Sequence, residues 1–109
     1  MKKRKPALLV SIIITTLNSQ ETIRQCLQSI ERQNCKRIET IVVDRHSIDG
    51  TTQIAKQFKA KVFLITRERS AAKNLGAEKA NGDFLLFVDS DMVLEPETIE
   101  ECVDLCTRK

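Results

Sequence analysis

Four short apolar runs recur along the 109-residue chain, and each gives way to a polar turn and then to a segment with helical spacing. This alternation restricts the fold more than any other feature. Leu8 to Thr15 is a continuous run rich in β-branched residues, as a strand covered on both faces must be. Ile38 to Asp44, Lys61 to Ile65 and Phe84 to Asp89 repeat the pattern. Between them lie Ile23, Cys26, Leu27 and Ile30, then Ile54, Ala55 and Phe58, then Ala72, Leu75 and Gly76, each set on one helical face. A last helix opens at Pro96 and turns Ile99, Cys102, Val103 and Cys106 inward. Asn18 reads as the cap of the first helix, with Glu21 as its capping-box partner, and Asn81-Gly82 as a left-handed stop after the third. Short connections in this order predict an α/β fold: a Rossmann-like βαβαβαβα parallel sheet with helices on both faces.

The chain length fits one domain, here residues 7–109 behind a basic tag at 1–6. With 41% apolar and 30% charged residues it reads as soluble and globular. Four of the 18 basic residues are Lys2, Lys3, Arg4 and Lys5, leaving 14 against 15 acidic ones. The body is therefore near neutral. Phe is the only aromatic type, so neither a basic footprint nor a stacking platform for nucleic acid is present. The tag and following apolar run imitate a signal peptide, but no small-residue cleavage site follows and the run is too short to span a bilayer. The tag leaves open a peripheral attraction to anionic lipid. Cys26, Cys35, Cys102 and Cys106 form no CxxC pair, and the single His46 is distant. They read as small hydrophobes in a reducing compartment, which places the protein in the cytoplasm, with the inner face of the membrane as an option.

In parallel α/β sheets ligands bind outside the carboxyl ends of the strands. Those ends carry Thr15, Thr16 and Asn18; Asp44, Arg45, His46 and Asp49; Arg67, Glu68 and Arg69; and Asp89, Ser90 and Asp91. Asp89 and Asp91 are the sharpest signal, because an apolar strand runs directly into two carboxylates with one spacer. Such a pair suits a hard cation, Mg2+ or Mn2+, shared with substrate phosphates; the alternative is an acidic loop capping the last helix. Asp44 is either a turn residue or a nucleoside contact. The glycine-rich loops of dinucleotide and P-loop folds are absent, since the three glycines are Gly50, Gly76 and Gly82. Side chains and turns would have to hold a nucleotide instead. Arg69 and Lys73, four apart at a helix start, suit a diphosphate or a solvated helix face. His46, with no visible partner, reads as a surface residue.

Four blocks, VSIIITTLN from Val10, IVVDRHSIDGT from Ile41, ERSAAKNLGA from Glu68 and ANGDFLLFVDSDM from Ala80, together resemble the family-2 glycosyltransferases, in the family's order and across nearly the whole chain. The resemblance implies a glycosyltransferase A-type fold and inverting transfer from a nucleoside-diphosphate sugar, a UDP- or GDP-sugar. It implies that Thr16 and Asn18 lie against the nucleoside and that Asp44 binds the base. Asp89 and Asp91 become the DxD pair meeting ribose, diphosphate and metal, and Arg69, Lys73 and Asn74 lie beside the diphosphate. Thr15 stands where the family usually has Pro, Leu17 where it has an aromatic, Arg45 where it has a second Asp, and Ile48 where it has Thr. The family's acceptor half, with its general base, has no counterpart here, because only residues 92–109 follow Asp91. The chain thus reads as the N-terminal nucleotide-sugar-binding half, catalytically incomplete alone, with an acceptor (saccharide, lipid or protein) left open. Rival readings are a binding or interaction module without turnover, open to self-association through its sheet edge, and phosphotransfer at Asp89. The last resembles haloacid-dehalogenase-like phosphatases, whose DxD lies on the first strand rather than the fourth.

Overall fold

The computed structural model describes residues 8–107; the basic tag lies outside them. The elements are β1 (Val10–Thr16), α1 (Gln20–Glu31), β2 (Ile38–Asp44), α2 (Thr51–Gln57), β3 (Lys61–Leu64), α3 (Arg69–Lys79), β4 (Phe84–Phe87) and α4 (Thr98–Thr107). This is the expected succession, with ends moved by a residue or two. All strands are parallel and ordered β3-β2-β1-β4. The chain therefore starts in the middle, builds outward through β2 and β3, and returns to the other side of β1 for β4.

β1 is central, so its apolar run must satisfy two faces at once. Val10, Ile12 and Ile14 join Val42, Ile23, Leu27, Ile54 and Ile99 in the core beneath α1, α2 and α4. Ile13 faces the opposite way, with Ile41, Val43 and Ala72 of α3. Gly76 lets α3 approach closely, since a Cβ there would collide with Ile13 Cγ2. α3 covers β1 and β2 but not β4, whose Leu85 and Phe87 remain 44% exposed. Ile99 is the buried residue of α4; Cys106, near the helix end, is exposed rather than buried with it as expected. No described helix is long and apolar enough to cross a membrane.

Two local expectations are corrected. The first helix is capped at Ser19 rather than Asn18, and neither makes a side-chain cap bond; the Asn18 side chain is engaged elsewhere. After α3, Ala80 is extended and no glycine has positive φ. Gly82 is needed for closeness instead: a Cβ there would lie 2.5 Å from Ser11 Oγ and 2.7 Å from Ser11 N.

That turn is fastened through Glu39 of β2. Its carboxylate accepts from Ser11 Oγ (2.6 Å), Lys61 Nζ (2.6 Å), Asn81 N (2.8 Å) and Asn81 Nδ2 (2.9 Å), while Gly82 N donates to Ser11 Oγ (2.9 Å). Burial alone would raise the Glu39 pKa, but these donors, led by Lys61, outweigh it and hold the carboxyl down to about 2. A depressed folded pKa stabilises the protein above the ordinary carboxylate value and loses that contribution as pH falls towards 2. Glu39→Gln should therefore cost roughly 1–3 kcal/mol at pH 7, and urea midpoints should show the gap to wild type closing between pH 4.5 and 2. A gap independent of pH would refute the role given to these bonds.

All four cysteines are free. Cys26 sits beneath the turn after β4, its thiol 3.7 Å from the Asp89 carbonyl. Burial first, and then the charges of Asp91 and Asp89, push this thiol up to about 11. At pH 8 iodoacetamide should modify exposed Cys106 readily and Cys26 only after unfolding, because the thiolate is the reactive form. Mass-spectrometric mapping that finds Cys26 labelled early in the folded protein would contradict this packing.

Candidate nucleotide-sugar site

Strand order reverses beside β1, and a crevice lies at the carboxyl ends of β1 and β4. A cleft of about 440 Å3 lies there, lined by Thr15, Asn18, Ser19, Thr22, Arg69, Asp89, Ser90 and Asp91. Its size is that of a small-molecule site, and its walls are polar. Two larger-scale features supply the charge. Arg69 is the first residue of α3, and Asp89 and Asp91 lie in the turn that follows β4. Cation and carboxylates thus line one opening, both acids exposed to it.

The floor is held by a relay of side chains. Asp44, the last residue of β2, has no exposure to water. Its Oδ1 accepts from Thr16 Oγ1 (2.6 Å) and Ser47 Oγ (2.6 Å), and its Oδ2 from Ser47 N (2.7 Å). Ser47 Oγ in turn accepts from Asn18 N (2.7 Å), and Asn18 Oδ1 accepts from Ile48 N (2.9 Å). Asn18 adopts φ 51°, a left-handed turn that Asn tolerates well. Two further ties join the same loops: Ser19 N donates to Thr51 Oγ1 (2.8 Å), and Gly50 N to Gln20 Oε1 (2.8 Å). Asp49 receives the Thr51 hydroxyl and the backbone N–H groups of Thr51 and Gln20. The Thr51 hydroxyl above all holds its carboxyl below the usual range. The loops after β1 and β2 are in effect one rigid platform.

The structure thus gathers Asn18, Arg69, Asp89 and Asp91 at the cleft. Thr16 and Asp44 form a buried pair behind Asn18, outside the cleft lining. Lys73 lies a turn further along α3 with its ammonium 5.8 Å from the centre of the Phe87 ring, also outside the lining. His46 is exposed at φ 60°. Ser19 and Thr22 went unnoticed in the sequence, although their spacing of three puts them on one face of the first turn of α1. Ser19 Oγ lies 3.1 Å from Ser90 Oγ and bridges the two walls. Among the described residues no group of three or more His, Cys, Asp or Glu side chains could hold a metal ion. The chain itself thus offers two carboxylates.

Comparison with known proteins agrees with this layout. The family described as Glycosyl transferase family 2 matches residues 11–108. The glycosyltransferase GlyA of Streptococcus pneumoniae is 34% identical over 97 residues, covering 84% of this chain and 14% of that protein. The structure of Staphylococcus aureus TarS 1-349 in complex with UDP-GlcNAc superposes with a TM-score of 0.81 at 30% identity, covering 88% of this chain and 30% of that one. Glucosyl-3-phosphoglycerate synthase from Mycobacterium tuberculosis, in complex with Mn2+, UDP and glucosyl-3-phosphoglycerate, gives a TM-score of 0.74 at 27% identity, covering 92% and 40%. The chain spans only 14% to 34% of the length of the first curated relatives it matches. In fold and in sequence, over nearly its whole length, the chain belongs to glycosyl transferase family 2.

Proposed function

We propose that this chain is the donor-binding part of an inverting glycosyltransferase and holds a nucleoside-diphosphate sugar in the cleft between β1 and β4. The observation that carries the reading is that Arg69, Asp89 and Asp91 line one polar opening at the point where strand order reverses. The relatives' complexes with UDP-GlcNAc and with Mn2+ and UDP support it.

Each residue then has a role. Arg69, at the start of α3, presents a guanidinium and the helix's first N–H groups to the diphosphate. Lys73 adds positive potential from the next turn. Asn18 and Thr16 lie on the nucleoside side, and Asp44, buried against Thr16 and Ser47, fixes that side at the base. Asp89 and Asp91 would hold a divalent cation. Two carboxylates suit Mg2+ or Mn2+, which prefer oxygen donors and complete their shells with phosphate oxygens and water. Such a cation supplies charge neutralisation for a departing nucleoside diphosphate. Asp89 also meets the ribose in this reading. Residues 1–109 hold no assigned general base, and we place acceptor contacts outside them, in keeping with the chain's share of its relatives' length.

Calorimetric titration with UDP- and GDP-sugars, with and without Mn2+, tests the reading. Binding should strengthen with Mn2+, and Asp91→Ala should abolish the metal-dependent part. Arg69→Ala should weaken binding by about tenfold or more through the lost charged hydrogen bonds. No heat with any donor at millimolar concentration would sink the proposal, and an unchanged Mn2+ effect in Asp91→Ala would remove the metal role.

A further inference from the structure

A nucleobase is distinguished by the hydrogen-bond donors and acceptors along its edge. With the base at the carboxyl end of β2, as in the donor-site reading above, the groups left free there decide which base fits. The acid there is already occupied. Asp44 is 0% exposed and its carboxylate already accepts three hydrogen bonds from Thr16 and Ser47, so it is closed off from the N3–H of a uracil. The next residue, Arg45, is half-buried and doubly anchored. Its backbone N–H donates to the Thr16 carbonyl (2.9 Å), and its Nε to the Arg67 carbonyl (3.0 Å). The first tie fixes the Arg45 backbone beside the end of β1, and the second holds the guanidinium against the loop that follows β3. Among the described residues the two Nη groups have no hydrogen-bond partner.

We propose that Arg45, and not Asp44, reads the base edge, and that the chain selects a guanine nucleotide; this rests on the donor-site reading above. A guanidinium only donates, so it rewards a base with two acceptors side by side. Guanine has that pair in O6 and N7. Uracil sets an N3–H donor between its carbonyls and leaves Arg45 one bond. Adenine puts an amine beside N7 and opposes donor to donor. Cytosine has O2 and N3, but O2 lies next to the glycosidic bond, where the ribose shields it. The arrangement departs from the base in the TarS complex, which contains UDP-GlcNAc.

The test is calorimetry of GDP, UDP, ADP and CDP in the presence of Mn2+, on the wild-type chain and on Arg45→Lys and Arg45→Ala. GDP should bind wild type about tenfold more tightly than the others, the discrimination expected of one bidentate pair. Arg45→Lys keeps the positive charge but loses the planar fork. It should bring GDP to within about threefold of UDP while leaving UDP unchanged. A loss of affinity for both nucleotides alike in Arg45→Lys would mean that Arg45 merely attracts the diphosphate, and would overturn the inference. So would UDP or CDP binding wild type as tightly as GDP, or a GDP preference that survives both variants. The wild-type ratio decides the matter even where a variant does not fold. If none of the four binds wild type, the donor-site reading itself has failed, and this inference with it.

Discussion

A carboxyl group removed from water must have its oxygens met by donors, or its burial costs several kcal/mol. Asp44 meets that demand with Thr16 and Ser47, and the geometry around the site follows from how it does so. Thr16 ends β1 and Ser47 lies in the loop after β2, so one side chain sets the relation of two strands' exits. Ser47 passes the constraint on by accepting from Asn18 N, whose own side chain takes Ile48 N. Each of these bonds spans about thirty residues of sequence, apart from the local Ser47 pair. The loops could not hold such a shape by turn propensity alone. Their order comes from a polar chain rooted in the buried Asp44 and running out to the surface through Ser47 and Asn18, and no buried side-chain N or O among the described residues lacks a partner.

The second constraint is topological. Because β1 lies centrally and β4 returns on its far side, the order of strands reverses there and the crevice lies at the carboxyl ends of these two strands. A sheet that grew in one direction only would have packed its loops side by side. The acidic turn after β4 is fixed from beneath by α1, where Cys26 lies against the Asp89 carbonyl and Ser19 against Ser90. The carboxylates are therefore exposed while their backbone is supported.

Much of this was legible in the sequence, and what was not has a common cause. Strand and helix order follow from hydrophobic period, which is a local property, and β1 showed its double burial in an unbroken apolar run. Asp89 and Asp91 were visible because two carboxylates directly after Phe84 to Val88 break the pattern abruptly. Asn18 was misread as a cap because a local capping-box spacing competes with a partner thirty residues away that sequence does not reveal. Gly82 followed the same course. An Asn-Gly pair after a helix suggests a left-handed stop, whereas the real demand is the closeness of Ser11 across the sheet. Thr16 and Asp44 were each picked out, but nothing in either run told that they satisfy one another. Ser19 and Thr22 were missed because hydroxyls on a first helical turn are common and carry no pattern of their own.

The packing of α3 links the core to the chemistry. A helix lies at a distance from its sheet set by the side chains between them. Ala72 and Gly76 make that distance short over Ile13 and Val43. Arg69 is in the first turn of this helix, so the same small residues that seat α3 on β1 and β2 also set how far its guanidinium reaches into the cleft. A bulkier residue at position 76 would lift or slide the helix and carry Arg69 away from Asp89 and Asp91. The close seat has a second consequence at the other edge. By settling over β1 and β2, α3 leaves Leu85 and Phe87 of β4 half in water, with the Lys73 ammonium over the Phe87 ring. One packing choice thus defines the cationic wall of the cleft and at the same time the apolar surface beside it.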